Sequence, residues 1–201
     1  MKKILFGFAL IISLFFIGIE RLNYLSSKQI HVDNFSTFNK IEIYAAYILM
    51  NALGYPMYPE IAKEAMLMLD PRVRNKEIYF ETDFFLQSKV VKEAIDNYKK
   101  PTRLVWHPNN YVIGSPEARV SLTFNSGTLS IEDNIVSVSV PCTWPMHSDY
   151  RDHSYTTPLS LFPEIRVQEG LFWILEQEGW IHPYTAVWKT TLQPSYVASA
   201  Y

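Results

Sequence analysis

The stretch Arg119-Val120-Ser121-Leu122-Thr123-Phe124-Asn125-Ser126-Gly127-Thr128-Leu129-Ser130-Ile131-Glu132-Asp133-Asn134-Ile135-Val136-Ser137-Val138-Ser139-Val140 decides the fold class. Val120, Leu122 and Phe124 alternate with Arg119, Ser121 and Thr123, Leu129 and Ile131 alternate in the return strand, and Val136, Val138 and Val140 alternate with Ser137 and Ser139. A period of two puts every apolar side chain of a strand on one face, and turn residues at Asn125-Ser126-Gly127 and Glu132-Asp133-Asn134 return the chain each time. The pattern predicts an antiparallel meander with one buried face.

Outward from that sheet, the upstream chain is helical in period. Ser36-Thr37 followed by Phe38 to Leu53 and then Gly54 carry start and stop signals for a helix over 38 to 53. It is apolar nearly all round from Tyr44 to Met50, which predicts burial on several sides. Pro59 at a first helical position predicts a second helix over 60 to 69, ended by Asp70-Pro71. Glu77 to Phe80 reads as a strand, and a third helix is expected over 83 to 99. Arg103 to Trp106 reads as a further strand. Downstream of the meander, a helix is expected over 164 to 178, stopped by Gly179, and a closing strand over Thr185 to Leu192. Runs of helices followed by runs of strands predict an α+β fold: an antiparallel β-meander covered on one face by helices, preceded by an N-terminal membrane-anchor helix.

The anchor is read from Lys2 and Lys3 followed by an unbroken apolar run from Ile4 to Ile19, with no charge before Glu20. As a helix the run is roughly 24 Å long, near the lower limit for spanning a bilayer. It is a signal anchor or a cleaved signal peptide. Glu20-Arg21-Leu22-Asn23-Tyr24-Leu25 offers no small-x-small cleavage site, and only the Ser26-Ser27 region tolerates one, which favours the anchor. Positive charge before the run and its cancellation after it place the N-terminus in the cytoplasm, with the chain from about residue 28 onward in the periplasm or cell exterior. The expected organisation is residues 1–27 as anchor or signal peptide and 28–201 as a single exported domain. Its only cysteine, Cys142, excludes an intrachain disulfide framework and fits an exported chain.

With 18 basic against 20 acidic residues and a formal charge of -2, the 201-residue chain has no basic stripe for nucleic acid. The phosphate loops G-x-x-x-x-G-K-[ST] and G-x-G-x-x-G are absent, as are H-E-x-x-H and G-x-S-x-G. The long polar and aromatic stretch from Pro141 to Pro163 holds the best candidate constellation: His147, Asp149, Asp152 and His153, flanked by Trp144, Tyr150 and Tyr155. Two imidazoles and two carboxylates suit a divalent metal or an acid/base pair, and the rings suit a binding wall. Their spacing matches no metal signature, and a solvated loop has the same composition without any site. Cys142 with His147 or His153 would be a nucleophile with its base only in an electropositive, partly exposed setting; a buried strand-end thiol is the plainer reading. The expected function is a membrane-tethered, non-catalytic envelope protein whose exported domain binds or scaffolds another envelope or membrane protein. It is held to the membrane through residues 4–19, takes no nucleic acid and needs no cofactor. The alternative is an envelope hydrolase or metal-binding protein using loop 141–163.

Overall fold

A computed structural model describes residues 17, 18, 20, 21, 23–25, 31–54, 59–105, 115–117, 120, 127–144, 153–155, 165–167 and 169–192. Along them run α1 (Thr37–Gly54), α2 (Pro59–Leu67), β1 (Glu77–Glu81), α3 (Lys89–Asp96), β2 (Thr102–Arg103), β3 (Thr128–Glu132), β4 (Ile135–Cys142), β5 (His153–Tyr155), β6 (Ile165–Val167), α4 (Glu169–Gln177) and β7 (Tyr184–Thr191). The class is α+β, as the periodicities predict. Backbone contacts divide the chain into two compact units, residues 1–50 with 144–181 and residues 51–143 with 182–201.

The second unit holds a five-stranded sheet in the order β1-β7-β4-β3-β2. Its centre is the expected hairpin. Asp133 and Asn134 take left-handed backbone (φ 50° and 64°), the two-residue turn whose twist matches that of paired strands, and β3 and β4 close from Glu132 opposite Ile135 to Thr128 opposite Ser139. β7 pairs antiparallel with β4 from Ile135 opposite Thr191 to Cys142 opposite Tyr184. Alternation then sorts the side chains as read: Val136, Val138 and Val140 are buried, while Ser137 and Ser139 are half-buried on the other face.

Two features correct the meander. β1 lies parallel to β7, Phe80 opposite Trp188, so the sheet is mixed and not purely antiparallel. Of the strand expected over Val120, Leu122 and Phe124, only Val120 is among the described residues, and it is buried and helical; the strand beside β3 is instead β2.

The third helix also begins later than its pattern suggests. Phe84–Gln87 is a 3-10 turn, and the α-helix starts after Ser88, whose side chain accepts from the Val91 backbone N–H. Glu117, from a distant part of the chain, accepts from both Ser88 Oγ (2.7 Å) and the Lys89 backbone N–H. A carboxylate at a helix N-terminus satisfies orphan donors and the dipole together, and this favours a helix start at Ser88 over one at Asp83.

In the first unit, Ser36 and Asn39 cap α1 reciprocally, each side chain accepting from the other's backbone N–H at 3.2 Å. The expected helix over 164 to 178 is shorter, because residues 165–167 form β6 and pair with β5; α4 begins at Glu169. Gly179, with φ 72°, takes the left-handed conformation that ends it, and the Trp180 N–H returns to the Leu175 carbonyl at 2.9 Å. Leu171, Phe172, Ile174 and Leu175 of α4 are buried, and Tyr47 of α1 meets the Phe172 ring edge-on at 5.0 Å. Lys40 Nζ reaches Glu178 Oε1 at 2.7 Å.

No helix among the described residues is long and apolar enough to cross a membrane. The apolar run Ile4 to Ile19 lies outside them except for Ile17 and Gly18, which are helical. The residues after it join the first unit: Leu25 is fully buried, and Arg21 Nε donates to both carboxylate oxygens of Glu42 on α1 at 2.9 and 3.0 Å.

Candidate functional site

Of the constellation in loop 141–163, His147, Asp149, Tyr150 and Asp152 lie outside the described residues. His153 and Tyr155 fall on β5, opposite Val167 and Ile165. The stretch is therefore less irregular than its composition suggests, since β4 extends through Cys142 and a second small sheet follows. Trp144 is committed to the interior of the first unit: its ring packs edge-on against Phe172 (4.9 Å) and Tyr47 (6.2 Å), and its backbone N–H donates to Glu176 Oε2 at 2.9 Å. It is half-buried in a three-ring cluster, which is the packing role of a tryptophan and not that of a binding wall. Among the described residues no three metal-ligating side chains converge.

Cys142 closes β4 as a buried residue, its Sγ directed at the Val140 carbonyl at 3.8 Å. Burial pushes the thiol's pKa up, and the nearby Glu64 carboxyl adds to the effect. A thiol held protonated is a weak nucleophile, which agrees with a packing role for a buried strand-end cysteine.

The polar group that stands out was not singled out from the sequence. Glu64 on α2 is only 8% exposed, yet it is ionisable. Its Oε1 accepts from Trp188 Nε1 at 2.7 Å, and its backbone carbonyl accepts from Tyr184 Oη at 3.1 Å. Both donors come from β7, so one residue fastens α2 to the buried face of the sheet twice. Trp188 in turn stacks on Phe80 of β1 (4.2 Å between centroids, 18° between planes) and meets Phe84 edge-on at 5.6 Å. A buried indole needs an acceptor for its N–H, and Glu64 supplies it.

The electrostatics follow from that enclosure. Burial pushes the Glu64 carboxyl up to about 8, opposed by the Trp188 hydrogen bond and reinforced by the negative charge of Glu60 one helical turn earlier. At neutral pH the folded protein carries Glu64 mainly as a neutral acid. The sequence does contain a signal. Ile61, Glu64, Ala65 and Met68 have the i, i+3, i+4, i+7 spacing of a core-facing stripe, and one of the four is a glutamate. Chemically the site can hold or release one proton, with an indole and a phenol fixing its geometry. Compared with models of protein families, with curated proteins and with solved structures, the chain gives no match.

Proposed function

We propose that the chain is a membrane-tethered, non-catalytic envelope protein that binds or scaffolds another envelope or membrane protein, its folded part lying in the periplasm or cell exterior. The observation that carries this reading is the uncovered face of α1. The near-uniform apolarity of that helix predicts burial all round, yet it buries Ile43 and Tyr47 on one side and leaves Phe38 (65%), Ile41 (50%) and Leu49 (49%) exposed, with Ala45 between them. Residues 38, 41, 45 and 49 are spaced three, four and four apart, so they share one face. The two charged side chains of the helix are taken up within the unit, Lys40 by Glu178 and Glu42 by Arg21. What remains is an apolar face without an ion, suited to an equally uncharged apolar surface of a partner protein.

Tethering is supported by the docking of Arg21 and Leu25. A chain cut at Ser26 or Ser27 would lose a buried leucine and the ion-pair partner of Glu42, whereas an uncleaved chain keeps both beside the apolar run. An anchor confines the exposed face to one membrane and raises its effective concentration for a partner there.

The test is affinity capture of the full-length chain from solubilised membranes, beside an Ile41→Glu variant. Ile41 is exposed, so the substitution is expected to change stability by less than about 0.5 kcal/mol. A charge on the apolar face should lower partner recovery at least tenfold. Equal recovery with both chains, or recovery of the chain alone together with hydrolytic activity on a substrate panel, would contradict the proposal.

A further inference from the structure

Helix α2 buries Ala62, Glu64 and Ala65, and of the three only Glu64 is ionisable. Four elements supply the groups around it. α2 itself brings Glu60, whose charge opposes ionisation, and Lys63, whose ammonium lies 4.8 Å from the Phe80 ring. From β7 come the Trp188 indole and the Tyr184 phenol, from β4 the buried Cys142 thiol, and from β1 the Phe80 ring. The carboxylate form of Glu64 would be buried with a neutral donor on Oε1 and a like charge nearby. One indole N–H does not replace the hydration of a full charge. The neutral acid accepts the same hydrogen bond without that cost.

We propose that Glu64 is a proton-operated latch: its neutral carboxyl holds α2 on the sheet at Trp188 and Tyr184, and release of its proton to water undocks the helix. The second bond from β7 goes with the first, because Tyr184 holds the carbonyl of the same residue. That carbonyl also accepts the Met68 N–H at 3.3 Å, so the bond from β7 falls on the group that closes the last turn of the helix.

The pH range follows from linkage. A glutamate exposed by undocking ionises near its ordinary 4.5, whereas docked Glu64 holds its proton to about 8. Across that interval the undocked state gains about tenfold in population per pH unit, and above it the gain stops. The latch is thus tightest in mild acid, weaker at neutral pH and fully loosened in alkali.

Hydrogen exchange of the full-length chain in detergent, read on peptides covering 59–69 and corrected for the intrinsic pH dependence of exchange, tests the latch. Protection of α2 should fall about tenfold per pH unit from pH 5 to 8 and then level off, and Glu64→Gln should abolish the dependence. Protection independent of pH in the wild type, or the same slope in the Gln variant, would overturn the proposal. Should the variant fail to fold, infrared spectra of the wild type decide. A protonated-carboxyl band should survive at pH 6.5, where exposed carboxylates have ionised, and vanish by pH 9.5; its absence at pH 6.5 would equally overturn the proposal.

Discussion

Replacing Trp188 with alanine is expected to destabilise the second unit by about 3 to 5 kcal/mol, the range for truncating a large buried aromatic ring. The ring is 2% exposed and forms the common contact of three elements: it stacks on Phe80, meets Phe84 edge-on and donates to Glu64. Truncation opens a cavity between β1, β7 and α2 and leaves a buried carboxyl without its donor. Trp188→Phe separates the two losses, since it keeps much of the packing and removes only the indole N–H; its cost should fall by half or more. Urea unfolding at pH 6.5, followed by far-ultraviolet circular dichroism, measures both. A loss below about 1 kcal/mol for the alanine variant would show that the ring is not the keystone of this unit.

The stability of the same unit should fall, not rise, as the pH is raised through neutrality. Below its ordinary value of 4.5 Glu64 is protonated in both folded and unfolded chains and contributes no pH dependence. Between 4.5 and about 8 the unfolded chain has released the proton and the folded chain has not, so stability declines by about 1.4 kcal/mol per pH unit, on the order of 5 kcal/mol across the interval. Above pH 8 both states are ionised and the curve levels. Asp70, held down at about 2 by its hydrogen bonds from Arg72, acts with the opposite sign, its contribution being lost only as the pH falls from about 4 to 2. The two windows do not overlap. Glu64→Gln, which keeps an acceptor for Trp188 and cannot ionise, should flatten the neutral range and exceed the wild type in stability at pH 8. A wild-type curve that rises between pH 5 and 8 would show that the unit is governed by other groups.

What could be read from the sequence was what is local. The β3–β4 hairpin was legible because alternation, burial and the Asp133-Asn134 turn all lie within fifteen residues, and the stop at Gly179 because one glycine follows the last apolar turn of α4. The parallel seating of β1 beside β7 was not, since a strand's own pattern names its faces but not its neighbour, and these two are separated by more than a hundred residues. The break at Ser88 depended on Glu117, a long-range capping partner that no window around the helix contains. Period alone misassigned residues 165–167, where three residues are too few to separate strand from helix. For the site, the titratable groups of the His- and Asp-rich loop 141–163 are conspicuous in the sequence because they cluster within seven residues, from His147 to His153. Glu64 was hidden in the ordinary vocabulary of a helix surface, and only its register with Ile61, Ala65 and Met68 marks it as inward-facing. The uncovered face of α1 shows the opposite case. Its apolarity was plain in the sequence, but composition cannot say whether such a helix is covered by its own chain or left for another.

Membrane tethering requires that the folded part stay attached to the apolar run that precedes it. Intact-mass analysis of the protein recovered from cells, with an affinity tag after Tyr201, measures this directly. The expected product is a membrane-bound species that retains residues 1–27, with 23.4 kDa for the 201 residues plus the tag. A soluble species beginning near Ser27 would contradict it.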